Sequence, residues 1–171
     1  TVGRPFLAPF VMERFPLGTD TLGRNLASGL VHGARVSLMI GVVSTLVALL
    51  IGVPLGAVAG YAGGFVDDAL MRFTEFFQTI PSFALAIVMV AILQPQLGSI
   101  VLAIGVVSWP PVARLVRGEV LSLRTREYVQ AAVTIGQSTP RIIFSQVLPN
   151  TLAPIIVMGS LMIGSAILLE S

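Results

Sequence analysis

The chain has no cysteine and no lysine. Without cysteine it forms no disulfide and offers no thiolate to a metal. Without lysine it cannot build the glycine-rich, lysine-ended loop that cradles nucleotide phosphates, so energy drawn from ATP must come through another polypeptide. The single histidine, His32, excludes a multi-histidine metal site. Charge is scarce as well. Asp, Glu, Lys and Arg together make up 11% of the residues, where a soluble domain carries about 25%. The net charge of +2 is too small and too scattered to point to nucleic acid. No charged-then-apolar leader is expected at the N-terminus, where Pro5 and Pro9 stand instead.

What is present is apolar. Hydrophobic residues make up 55% of the chain and the mean hydropathy is +0.94. In water such a composition exposes large sticky patches, so the expected solvent is a lipid bilayer. Every backbone polar group must be satisfied within lipid, and the apolar runs lack the two-residue alternation of barrel strands. The expected fold is therefore all-α, a polytopic membrane helix bundle.

About four spans are expected. Residues 1–34, with Pro5, Pro9 and Pro16, read as an external or interfacial entry segment, and residues 35–171 as the transmembrane domain. No charge occurs from Val36 to Val66, which places a first span from about Val36 to Gly60, with Tyr61 at the interface. Asp67 to Gln78 is amphipathic, and Asp67, Asp68, Arg72 and Glu75 read as a solvated face rather than a cation site. Joined to Pro81–Leu93 it is long enough for a second span, with a kink or hinge at Pro81. A third runs from about Ile100 to Leu121, interrupted by Trp109-Pro110-Pro111, where Pro110 is a hinge or Trp109 an interfacial anchor. A fourth runs from Thr151, as N-cap, to Leu169. The chain stops beside this apolar run, which suggests a piece of a longer protein. Arg114, Arg117, Arg124, Arg126 and Arg141 cluster around residues 122–149 and place that loop in the cytoplasm, although Arg4, Arg14, Arg24 and Arg35 weigh the other way.

Within the loop, Thr125 is expected to cap a short helix with Glu127 in its first turn, Gly136 to end it, and Val129, Ala132 and Val133 to share a face. Ser138-Thr139-Pro140 restarts a helix that Pro149 ends, a third candidate hinge. An ordered loop between spans is either a docking surface or an amphipathic connector. Ser44, Ala48, Gly52, Gly56 and Gly60 form a stripe of small residues every fourth position, which favours close helix packing over ligand contact. Pro54 lies off the stripe. Asp20, His32 and Ser37 supply the residue types of a hydrolase triad but no nucleophile elbow, so that reading is rejected. Charge within a span is functional by default, and Glu170 is the nearest candidate.

From Arg126 to Pro149 the sequence reads R-E-Y-V-Q-A-A-V-T-I-G-Q-S-T-P-R-I-I-F-S-Q-V-L-P. It resembles the EAA loop of ABC-importer permeases, with Ala131, Ala132, Gly136, Leu148 and Pro149 at that loop's spacings. The Pro16–Asn25, Gly33–Leu38, Gly60–Gly64, Ile80-Pro81, Ser108–Pro110, Arg141–Phe144 and Leu148–Asn150 segments are similar to the peptide- and nickel-importer branch of that family. The resemblance implies a type I importer permease in a bacterial or archaeal plasma membrane. Its implied partners are a second permease subunit, two cytoplasmic ATPases and an external solute-binding protein. It implies no cofactor and no catalysis on this chain, with ATP bound by the partners. It also implies that Glu127, Gln130, Ala131, Ala132 and Gly136 meet the ATPase, and that spans precede residue 1 and follow residue 171. Gln130 departs from the pattern, standing where the loop's name-giving acid belongs, and Gln146 departs from it where isoleucine is common. The alternatives are an ion-coupled secondary transporter or channel, which would carry mid-span acids or paired broken helices, and a membrane scaffold.

Overall fold

The computed structural model describes residues 4–13 and 15–170. Arg14 and the Glu170 side chain, both named above, lie outside the described part. The chain divides into two compact units, Thr1–Met39 and Ile40–Ser171.

In the first unit, short side chains organise the turns. The Thr19 hydroxyl accepts the Leu7 N–H at 3.0 Å and donates to the Arg4 carbonyl at 2.5 Å. Asp20 Oδ1 accepts the N–H groups of Leu22 and Arg24, each at 2.8 Å, closing a local turn. Asn25 Oδ1 then accepts those of Ala27 at 3.0 Å and Ser28 at 3.4 Å, capping helix α1, Leu26–Ala62. The helix thus begins at Leu26 rather than Val36. A strong cap sets its start, and His32 and Arg35 ride on helical turns beyond the length a bilayer demands.

The second unit holds the remainder of α1, then α2 (Gly64–Thr79), α3 (Ser82–Leu93), α4 (Leu97–Leu123), α5 (Glu127–Thr134), α6 (Thr139–Ile142) and α7 (Leu148–Glu170), with a π-helical turn at Ile143–Val147. α4 is the hub, packing against α2, α3 and α7. Val112, Val116 and Val120 of α4 sit at the centre of a core completed by Ala57, Val129, Ala132, Ile142, Val147 and Ile155.

Among the described residues, three helical stretches are long and apolar enough to cross a membrane: Leu26–Ala62, Leu97–Leu123 and Thr139–Leu169. α2 and α3 form a fourth only as a pair, bent by 81°. The bend has a local cause. Pro81 disfavours helical backbone at the residue before it, and Ile80 is extended at φ −85° and ψ 126°.

Two expected breaks do not occur. Trp109-Pro110-Pro111 lies inside an unbroken α4. Trp109 is 3% exposed, stacked on Phe73 at 5.9 Å between ring centroids and edge-on to Phe77 at 5.5 Å, so it is a packing residue rather than an interfacial anchor. Pro149 does not end the last helix either. The Leu148 N–H reaches back to the Ile143 carbonyl, five residues away, and this widened turn eases the clash between a proline ring and the carbonyl four residues earlier. Thr151 is consequently inside the helix, fully buried, its hydroxyl donating to the Leu148 carbonyl at 2.8 Å. Because of the wide turn the buried positions Ile142, Val147, Thr151 and Ile155 stay on one face.

Candidate functional site

The loop between α4 and α7 is built on two buried anchors. Val129 is 1% and Ala132 4% exposed, and both face the valines of α4. The rest of α5 turns outward. Glu127, Tyr128, Gln130, Ala131 and Val133 are exposed, and Ile135 follows at 74% exposure. The expected common face of Val129, Ala132 and Val133 is corrected by Val133, which points away from the core. Of the residues tied to ATPase contact by resemblance, Glu127, Gln130, Ala131 and Gly136 are open to solvent, whereas Ala132 supports α5 from beneath.

The two ends of α5 are fixed by different means. Arg126, not Thr125, is the N-cap; the Thr125 hydroxyl donates back to the Ser122 carbonyl at 3.2 Å. At the other end Gly136 adopts φ +77°. Its N–H donates to the Val133 carbonyl at 2.9 Å, and the Gln137 N–H to the Ala132 carbonyl at 3.1 Å, the paired bonds of a left-handed helix stop. Nothing lies within 4 Å of the position a Gly136 Cβ would take, so backbone conformation alone demands glycine there.

Gln130, the departure from the family pattern, has a structural partner. Its Nε2 donates to the Arg124 carbonyl at 2.9 Å, joining α5 to the end of α4. A carboxylate only accepts hydrogen bonds and could not make this link.

The small-residue stripe of α1 lies against α4. Ser44, Ala48, Gly52, Gly56 and Gly60 are all buried. A Cβ at Gly52 would come within 2.6 Å of the Val112 Cβ, one at Gly56 within 2.9 Å of the Val116 Cβ, and one at Gly60 within 2.9 Å of the Val120 Cβ. Each step of four along α1 meets a step of four along α4, so these two helices run in the same direction. The corner after α1 therefore lies at the same end of the second unit as α5.

That corner is held by Arg117 and Arg124, which the charge pattern alone marks only as cytoplasmic. Asp67, expected on a solvated face, is 7% exposed. Arg117 donates to it twice, from Nε to Oδ1 at 2.5 Å and from Nη2 to Oδ2 at 2.6 Å. Arg124 donates from Nη1 to the Gly60 carbonyl at 3.2 Å and fills the space beside Gly63. One signal was available: Arg117 and Arg124 are seven residues apart, two helical turns, and so share a face of α4.

A recess between α1 and the last helix is lined by Leu49, Val53, Pro54, Tyr61, Ile143 and Phe144, among others. Its lining holds no charged side chain. Among the described residues no cluster of His, Asp or Glu is placed to hold a metal.

Long apolar helices, a bent half-length pair and an ordered loop resting on the core define a multi-pass, all-helical membrane protein. Residues 52–171 match the family described as binding-protein-dependent transport system inner membrane component, and the chain belongs to that family. It is 41% identical over 180 residues to the dipeptide transport system permease protein DppC of Bacillus subtilis strain 168, covering 98% of this chain and 56% of that protein. To the di/tripeptide transport system permease protein DppC of Pseudomonas aeruginosa it is 45% identical over 155 residues, covering 91% of this chain and 51% of that one. The chain thus spans about half the length of the curated relatives it matches. Its fold is similar to a chain of the MetNI methionine ABC transporter, solved in inward-facing conformations. The TM-score is 0.73 at 19% identity, over 82% of this chain and 71% of that one.

Proposed function

We propose that this chain is a pore-forming permease subunit of an ATP-driven importer for peptides or similar small solutes, and that it takes its motion from a cytoplasmic ATPase through α5. The observation that carries the reading is the two-sided character of α5. Val129 and Ala132 fix it to the core, while Glu127, Tyr128, Gln130, Ala131 and Val133 are presented outward. An amphipathic connector would share the anchored underside, but an outer face that sets Tyr128, Ala131 and Val133 beside Glu127 supports a surface gripped by another protein. Membership of the family and the names of the relatives support the peptide assignment.

In this reading the chain catalyses nothing and binds no cofactor. ATP is hydrolysed on two partner subunits, a second permease subunit completes the pore, and an external binding protein delivers the solute. The membrane is the plasma membrane of a bacterium or archaeon. Closure of the ATPases displaces α5, and the spans rooted on either side of the loop tip between inward- and outward-facing arrangements. The bent α2–α3 pair would also suit an ion-coupled transporter, but α3 carries no ionisable side chain to bind the driving ion.

Reconstitution of the full-length permease pair with the ATPases and binding protein tests this. Peptide uptake should require ATP, and a cross-linker placed at Ala131 should capture an ATPase subunit. Uptake driven by an ion gradient without ATP, or labelling of position 131 from the external side, would refute it.

A further inference from the structure

We infer that Arg117, Arg124 and Asp67 are positioning residues which make the end of α4 and the α1–α2 corner move as one body, carrying displacement of α5 to the elbow at Pro81. This rests on the coupling role proposed for α5 and assigns the path beyond it.

The contacts form a continuous series. Gln130 of α5 donates to the Arg124 carbonyl at 2.9 Å. The guanidinium of the same Arg124 donates to the Gly60 carbonyl at 3.2 Å, in the last turn of α1. Gly63 has φ +67°, a conformation that favours glycine, and a Cβ there would stand 2.8 Å from Arg124 Nη1, so the guanidinium lies directly against the corner. Two turns earlier on α4, Arg117 grips Asp67 in the first turn of α2 through both carboxylate oxygens. The two arginines thus bracket residues 60–67 from one helix.

α2 is held a second time. Phe73 and Phe77 pack on Trp109, eight residues before Arg117 on α4, while Asp67 meets Arg117 itself. Contacts near both ends prevent α2 from pivoting about either. A bidentate arginine–carboxylate pair adds fixed geometry to this, which a single contact lacks. α2 cannot then lag behind α4, and the series ends at the extended backbone at Ile80, where α3 leaves at 81° and packs on α4 in its turn. Coupling through packed elements of this kind is measurable as a change in the energetic link between distant sites.

The test uses the complete transporter in proteoliposomes, measuring ATPase retention, ATP hydrolysis and peptide uptake together. In Asp67→Asn the ATPases should remain bound and hydrolysis continue, while uptake per ATP hydrolysed falls roughly 2- to 30-fold. The exchange Asp67→Arg with Arg117→Asp should recover part of that ratio. An unchanged ratio in Asp67→Asn overturns the inference. Should that variant fail to assemble, the absence of cysteine from these 171 residues permits a second route, with any cysteine elsewhere in the complex replaced. Asp67→Cys with Arg117→Cys, joined by a short bis-methanethiosulfonate that releases a sulfinate at each thiol, should transport better per ATP than before joining. Arrest on joining, or no change, overturns the inference, since either means that α2 and α4 need not move together. A wild-type complex that holds no ATPase at α5 is a different result, seen before any variant is made, and it overturns the coupling role itself.

Discussion

Replacing Gly56 with alanine adds one methyl group where α1 and α4 leave no space for it. The new Cβ would lie 2.9 Å from the Val116 Cβ and closer still to the Ala113 carbonyl oxygen. Carbon atoms rest at about 3.5–4.0 Å, so the helices must part by roughly 0.5–1 Å, and a gap of that size forfeits about a quarter to a half of each neighbouring contact's attraction. Overpacking of this kind costs about 1–3 kcal/mol. Alanine returns about 1 kcal/mol through its higher helix propensity, leaving a net loss of roughly 1 kcal/mol. Gly52→Ala should behave alike, since its Cβ would meet Val112 at 2.6 Å and the Trp109 carbonyl at 2.8 Å. The double variant should lose less than the sum, because helices already separated by the first methyl admit the second more easily. Gly118→Ala is the control: it lies on α4 with nothing within 4 Å of its added carbon, and should be neutral or stabilising. The assay is thermal unfolding in detergent followed by fluorescence of Trp109, the one tryptophan of these 171 residues, buried beside this seam and read in a background that carries no other. If Gly56→Ala raised the melting temperature as much as Gly118→Ala, the close approach of α1 and α4 would be refuted.

Three other outcomes are expected. Ala132→Glu should prevent assembly of a folded subunit, because it drives a carboxylate into the cluster of Val129, Ile142 and Val147, at about 3–5 kcal/mol for an unpaired buried charge; Ala131→Glu, on the open side, should leave folding intact and weaken only ATPase retention. Size-exclusion profiles and co-purification separate the two, and equal profiles would sink the assignment of faces. Gln130→Glu should remove the hydrogen bond to the Arg124 carbonyl and lower thermal stability by about 1 kcal/mol, visible also as faster amide exchange across residues 124–130. Gly136→Ala should cost about 1–2 kcal/mol through its left-handed backbone, and Gly136→Asn appreciably less, as measured by the same unfolding curves.

Much of this architecture is legible in the residues themselves, and the failures have a common cause. The charge-free stretch after Arg35, the four-residue spacing of Gly52, Gly56 and Gly60, the glycine after α5 and the proline at the elbow all act locally, through hydropathy, size or backbone conformation. What escaped depends on distant partners. Asp67 looks like surface charge until Arg117, fifty residues later, comes to face it. Trp109 resembles an interfacial anchor until Phe73 and Phe77 cover it. Ala131 and Ala132 are identical by type, and only the placement of Ile142 and Val147 decides which of them turns inward. Pro149 differs from its expected role for another reason: a proline normally stops a helix, and the wide turn that accommodates it has no sequence signature of its own.

That wide turn also takes up one residue more than an ordinary helical turn. Ile142 and Val147 are five apart, whereas Val147, Thr151 and Ile155 follow at steps of four, so the surplus is absorbed inside Ile143–Val147 and the helix beyond keeps its bearing. Deleting one residue there closes the ladder to the four-residue step and leaves Thr151 and Ile155 against the core. Deleting one between Val147 and Thr151 instead turns everything after it by about 100° and carries Ile155 off that face. The stretch is a splice, where the chain can lose a residue without unmaking the seam beyond.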